Sequence, residues 1–373
     1  MKNVNRDYAY DIIRIIATFI VIATHVKLGF WEEDSINDGR LILACLFSDG
    51  VSVFFILSGF FLFNGRKFSN IVKKMFLSIC VPALLVALLT QIIYPWVCSA
   101  ALWGEQITFR VSWRECAIAI LQQNAGAMDG CFHFWYIFTY VKWILFYPLL
   151  KWICQEGKEQ TYCRWMIIIL QMIAVCVSNI KLLINIPLNV YSFIDTSVLL
   201  GLIGYEINYR KDLIKEKSMI KWISLATFIA INYIRFIAQK NLYIADSNNG
   251  SYISWDSIFG IIGATTLFVH IYSWNFNRFN EKIKNIIKYI SDKTFMIYLF
   301  HVIVYFKFNS MGIQNNYMRM CTDNKTLVGD VLYSFGYPLL IFMVTLLCVM
   351  FLLKVRNVVI DRYNAVRKRF EKV

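Results

Sequence analysis

Tyr10-Asp11-Ile12-Ile13-Arg14-Ile15-Ile16-Ala17-Thr18-Phe19-Ile20-Val21-Ile22-Ala23-Thr24-His25 forms most of the first apolar run of the chain, and its reading decides the rest. Carried on to about residue 30, the run has the roughly 20 residues that a helix needs to cross a bilayer core. It does not read as a cleaved signal peptide, because Arg14 and His25 interrupt it and no small-residue cleavage site follows. These two ionisable side chains lie eleven positions apart. At 100° and 1.5 Å per residue they are about three turns plus ~20° apart, roughly 16 Å along the axis. Both therefore fall on one face of one helix. An ionisable group in hydrocarbon is costly, so two on a single stripe point to function rather than packing.

Outward from this run the same signature recurs. Ten apolar segments of spanning character cover residues 12–30, 41–63, 75–94, 132–153, 165–184, 192–209, 222–238, 253–273, 290–308 and 331–353. The 373 residues are 58% hydrophobic and 17% charged, with a mean hydropathy of +0.53. Soluble domains carry about a quarter charged residues, so a soluble enzyme is excluded in practice and disorder outright. The predicted fold is all-α: a polytopic membrane protein of about ten transmembrane helices.

Charge sets the expected orientation. Basic residues fill the even-numbered connections: Arg66, Lys67, Lys73 and Lys74; Lys151, Lys158 and Arg164; Arg210, Lys211, Lys215, Lys217 and Lys221; Arg278, Lys282, Lys284 and Lys288. Both termini are basic as well, whereas the first odd-numbered connection reads Trp31-Glu32-Glu33-Asp34. The positive-inside rule then places both termini in the cytoplasm. The net charge of +14 belongs to these loops, which argues against nucleic-acid binding. The expected division is a membrane domain over 1–354 and a basic cytoplasmic tail over 355–373, helical and lying on the inner leaflet. Residues 96–131 form the longest outer loop, with a short half-buried helix expected at 115–123. Residues 279–289 read as an amphipathic surface helix, with Ile283, Ile286 and Ile287 on one side.

The ten cysteines are scattered, mostly in apolar runs, and none has zinc spacing, so no metal is expected. Cys98, Cys116, Cys131 and Cys321 fall in outer segments, where a disulfide stays open. The four histidines all lie in or beside spanning segments. His25, His133 and His301 are expected to share a depth in the outer half. Asp49, Asp195 and Asp256 start helices from the outside. Arg14, Arg66, Glu206, His270, Asp292 and Lys293 form an inner polar level. Plainer readings exist: His133 as an interfacial anchor beside Trp135 and Tyr136, His270 as a satisfied interfacial residue, Asp195 and Asp256 as caps, Arg66 as a positive-inside residue and Lys142 as a snorkelling one.

These residues also carry a resemblance. Tyr10-Asp11-Ile-Ile-Arg14-Ile-Ile-Ala17 with His25 resembles the opening motif of the acyltransferase-3 family, bacterial integral-membrane O-acyltransferases that modify surface polysaccharides and related acceptors. Three further stretches follow in family order. Asp49-Gly50-Val51-Ser52-Val53-Phe54-Phe55-Ile56-Leu57-Ser58-Gly59-Phe60 resembles the second-helix signature, His133-Phe134-Trp135-Tyr136 the aromatic start of the fourth helix, and Ile297-Tyr298-Leu299-Phe300-His301 the motif near the ninth. The resemblance implies transfer of an acyl group, usually acetyl from acetyl-CoA, to a hydroxyl in a bacterial inner membrane. It puts Arg14 and His25 on the family's functional Arg and His. Many relatives carry a fused extracytoplasmic domain, so this chain is expected to act alone or with a separate extracytoplasmic partner. A related membrane module fused to amino-acid racemases has a different role.

The chemistry assigns provisional roles. Acyl transfer to a hydroxyl needs a base and a site for the developing oxyanion. His25 is the expected base, because a neutral imidazole accepts a proton near neutral pH. Arg14 stays protonated and is expected to hold the anionic acyl-CoA with Arg66 and Lys293. Asp49, His133, Trp135, Tyr136 and His301 are candidates for the acceptor side, a glycan or lipid-linked saccharide. Ser58 with Gly59 either lets the donor approach or packs helices. A secondary transporter, or an uptake module without acyl transfer, is the competing reading.

Overall fold

The computed structural model describes residues 6–26, 31–32, 35–63, 67–97, 130–184, 192, 194–245, 251–322 and 326–370. Among these, regular structure is helical apart from a two-residue antiparallel ladder of Trp31–Glu32 with Ser35–Ile36. The helices are α1 Tyr8–His25, α2 Asp38–Leu46, α3 Gly50–Leu62, α4 Phe68–Met75, α5 Val81–Val97, α6 Trp135–Leu145, α7 Tyr147–Ile153 and α8 Lys158–Ile184. There follow α9 Thr196–Tyr209, α10 Lys211–Glu216, α11 Ser218–Ala245, α12 Ile258–Tyr272, α13 Glu281–Ser291, α14 Thr294–Ser310, α15 Ile313–Thr322 and α16 Leu327–Phe370.

Among the described residues, six helical stretches are long and apolar enough to cross a membrane: Tyr8–His25, Asp38–Leu62, Phe68–Ile93, Lys158–Ile180, Ser218–Ile244 and Leu327–Val358. A bent pair, α14 with α15, makes a seventh at 77°. Gly312 sits at that bend with φ +69°, the left-handed conformation in which glycine ends a helix. The chain is thus a multi-pass membrane protein. Of the ten segments expected to span, the others are shorter helices. Residues 132–153 break at Phe146, because Pro148 starts a new helix, α7. α9 has 14 residues, α12 has 15 and α14 alone has 17. All three bury much of their surface inside the bundle, where a helix need not reach both interfaces; apolarity along the sequence does not separate that case from a lipid-facing span.

The tail is helical to Phe370 and continuous with the segment before it, since α16 runs unbroken for 44 residues, about 66 Å at 1.5 Å per residue. Residues 355–370 contain no Gly or Pro to stop it. The helix expected at 115–123 lies outside the described residues, as do Cys98 and Cys116, while Cys321 is a free thiol. The amphipathic segment is α13, capped by Asn280 Oδ1 accepting from Ile283 N at 2.9 Å, with Ile283 and Ile286 exposed.

α1 is the axis of the packing. Its Ala9, Ile13 and Ala17 belong to a core built with α3, α9 and α12, through Phe55, Leu199 and Phe268. Its Val21 and Ile22, with Val26, belong to a second core built with α14 and α16, through Ile297, Tyr333 and Ile341. The α3–α9 crossing is a close backbone approach. A Cβ on Gly204 would stand 2.0 Å from the Ile56 carbonyl oxygen, and one on Gly59 would stand 2.0 Å from that of Gly201. Small residues let two backbones approach to this distance.

Candidate active site

The N-terminal half of α1 builds a charged anchor. Asp7 caps the helix by accepting from Ala9 N at 3.1 Å. One turn on, buried Asp11 accepts from Arg6 at 2.7 and 2.8 Å, from Ser291 Oγ at 2.7 Å and from Arg14 Nη1 at 3.2 Å. Hydrogen bonding to Asp11, helped by Asp292, pushes the Arg6 guanidinium further above its already high value. Arg14 is thereby held over the Phe61 ring, 5.8 Å from its centroid, with its side chain 35% exposed.

Arg14 faces a cavity of about 530 Å³ shared with Ser58, Asn70, Lys74, Tyr136 and Tyr298. Most of the remaining lining is apolar, from α3, α4 and α14. One wall has a specific local cause. Pro82 has no N–H to give the Ser78 carbonyl, and the chain relaxes into a π turn over Phe76–Cys80, closed by Val81 N bonding to Phe76 O. Ser78 and Ile79 of that turn line the cavity. Ser58 and Tyr136 hydroxyls share one hydrogen bond of 3.0 Å, which leaves one of their two hydrogens free for a third group.

The other end of α1 meets a second cavity, about 400 Å³, lined by Thr24, His25, Ser48, Trp135, Tyr243, Ser254 and Trp255 among others. The rings of Trp135 and Trp255 stack at 5.1 Å. The 252–254 segment behind them is stapled by Arg235, which is fully buried. Its guanidinium donates to the carbonyls of Tyr252 (2.6 Å), Ile253 (3.1 Å), Ser254 (3.2 Å) and Cys45 (3.0 Å), and to Asp49 Oδ1 (2.8 Å). α1 itself is pinned just past His25, where Gln314 of α15 donates to the Val26 carbonyl at 3.0 Å.

Trp135 lines the second cavity and its neighbour in sequence, Tyr136, lines the first. His25 of the second cavity belongs to a cluster of three imidazoles: His25 to His301 is 5.3 Å between ring centroids, His133 to His301 is 5.0 Å, and His25 to His133 is 6.3 Å. Tyr298, in the first cavity, lies 5.4 Å from the His133 ring and 6.0 Å from that of His301, and its hydroxyl donates to the His133 carbonyl. His133 Nε2 is 3.3 Å from the Leu299 carbonyl, and His301 Nδ1 is 2.6 Å from the Tyr298 carbonyl. His133 Nδ1 and His301 Nε2 are buried without a partner. Among the described residues no group of His, Cys, Asp and Glu has the arrangement to hold a metal ion.

The structure thus brings together His25, His133, Trp135, Tyr136 and His301, and puts Arg14 in the cavity that Tyr136 also lines. Asp49 is elsewhere: it lies beneath Ser48, fully buried, and pairs with Arg235. Lys293 does not line the first cavity, because its ammonium is tied over its own neighbour's ring, 3.1 Å from Tyr289. Lys74 stands there instead. Arg66 lies outside the described residues. Asp195 caps α9 by accepting from Ser197 N, but the cap of α12 is Ser257, not Asp256. His270 is satisfied by the Lys221 carbonyl and Trp274. Ser58 meets the cavity while Gly59 packs against Gly201 of α9. Arg235 and Asp11 were missed, although an arginine inside an apolar run is the signal that singled out Arg14.

A family model described as an acyltransferase domain matches residues 7–353. No curated protein and no solved structure matches.

Proposed function

This chain belongs to the acyltransferase-3 family, and we propose that it is a membrane O-acyltransferase that moves an acyl group, acetyl first among the choices, from acyl-CoA to a hydroxyl of a surface glycan or lipid-linked saccharide. The observation that carries this reading is that the two functional side chains of α1 each line a cavity, Arg14 one that Lys74 shares, His25 the other. By the charge pattern of the loops the Arg14 end faces the cytoplasm of a bacterial inner membrane and the chain crosses it about ten times, with both termini inside.

The donor enters at Arg14. Its phosphates meet Arg14 and Lys74, and its thioester arm runs along the apolar lining toward Tyr136. The acceptor occupies the second cavity, against the Trp135 and Trp255 rings. His25 takes the hydroxyl proton as the oxygen attacks the thioester carbon. The free hydroxyl hydrogen of the Ser58–Tyr136 pair serves the developing oxyanion. The carbon–sulfur bond then breaks, and the proton passes from His25 to the CoA thiolate. A separate extracytoplasmic partner can carry the product onward.

The test uses the purified protein in liposomes with acetyl-CoA and extracted glycan. Free CoA thiol is expected only once acceptor is added. His25→Ala should lower that rate by about 10²–10⁴-fold, the usual worth of a general base, at normal protein level. An unchanged rate in His25→Ala would remove its assignment as base.

A further inference from the structure

The two unpartnered nitrogens behind His25 have no role in the mechanism above. Their chemistry follows from the atoms they do not face. A neutral imidazole has one N–H donor and one lone-pair acceptor. Carbonyl oxygens only accept. His133 Nε2, at the Leu299 carbonyl, therefore carries the hydrogen, and so does His301 Nδ1, at the Tyr298 carbonyl. The remaining nitrogens, His133 Nδ1 and His301 Nε2, are lone pairs, both buried and both unpartnered. The nearby Tyr298 hydroxyl cannot serve them, since its hydrogen goes to the His133 carbonyl. A buried acceptor without a donor is costly, and here two share one cluster with a third imidazole.

We propose that His25, His133 and His301 together hold one water molecule, and that this water fixes the tautomer of His25. Water fits the inventory in full: its two hydrogens go to His133 Nδ1 and His301 Nε2, and its oxygen accepts from an N–H of His25. Three polar partners are what a buried water usually has. His25 then points its hydrogen inward and keeps its other nitrogen as a lone pair toward the second cavity, the form a base needs. His133 and His301 are positioning residues, in the way that the third member of a catalytic triad orients its base. This assignment rests on the acyl-transfer reading for its purpose but not for its geometry.

The experiment is nitrogen-15 NMR of the imidazoles in the full-length protein in nanodiscs, practicable because the chain has only four histidines. His301 should be the Nδ1–H form, His133 the Nε2–H form, and His25 a single tautomer. His301→Asn keeps a donor at the Nδ1 position and removes the Nε2 acceptor; His133→Gln does the converse at its own site. Each should give mixed tautomers at His25 and lower kcat at least tenfold, with the acetyl-CoA KM unchanged. His301 found as the Nε2–H form, a wild-type kcat and single His25 tautomer in both variants, or a stoichiometric metal on the imidazoles would overturn the proposal. Should the wild-type protein transfer no acyl group at all, the function fails while the tautomers still decide the water site.

Discussion

Replacing Arg235 by Met removes the staple behind the second cavity, and the structure fixes what that should cost. The guanidinium gives hydrogen bonds to Asp49 and four backbone carbonyls. Two of those carbonyls have a second donor, Ser257 Oγ at Tyr252 and Ser257 N at Ser254, and the Ser48 hydroxyl has one hydrogen for Cys45 and Asp49 together. The loss at the carbonyls is therefore the smaller part. The stranded Asp49 carboxylate is the larger, left fully buried with only Ser48 to bond it. Removing one partner of a buried pair costs about 3–5 kcal/mol, a large share of a typical protein's stability. Asp49→Asn added to Arg235→Met removes the stranded charge and should restore most of that loss. It should not restore acceptor use, because residues 252–254 stay unstapled from α2. The assays are denaturant unfolding in mixed micelles and acyl transfer at varied acceptor concentration. A single variant within about 1 kcal/mol of wild type, or a double variant as unstable as the single, would refute the assignment of the cost to a stranded charge.

Arg14→Ala should raise the donor KM about 10–150-fold, the worth of a charged hydrogen bond of about 1.5–3 kcal/mol, with acceptor KM unchanged. Asp11→Asn should shift donor KM in the same direction by less, because it loosens Arg14 without removing it; an unaltered acetyl-CoA titration in both would count against donor binding there. Gly204→Val should destabilise the protein by about 1–3 kcal/mol or more through the Ile56 carbonyl, read by thermal unfolding, and a wild-type midpoint would show that the α3–α9 approach is looser than described.

Much of this arrangement is legible in the chain because membrane burial makes polar residues conspicuous. The eleven-residue spacing of Arg14 and His25 puts both on one face, and each does line a cavity. The shared depth of His25, His133 and His301 follows from alternating helix direction alone. What stays hidden has physical reasons. Asp49 and Arg235 neutralise each other across 186 positions, and no local pattern announces such a pair. Lys293 is diverted by a ring four residues before it, a matter of rotamer rather than sequence depth. Interior helices such as α9 are as apolar as longer ones that face lipid, so hydropathy alone does not tell the two apart. The π turn was within reach, since Pro82 in an apolar helix forces some break in its bonding.

The most direct measurement is sidedness. Protein inserted in liposomes in one orientation would receive labelled acetyl-CoA only at the face carrying Arg14, and acceptor glycan only at the face carrying His25. Labelled ester on the acceptor, lost in His25→Ala, is the expected result. Ester formed only when donor and acceptor share one face, or no ester in any arrangement, would contradict a transfer between the two cavities.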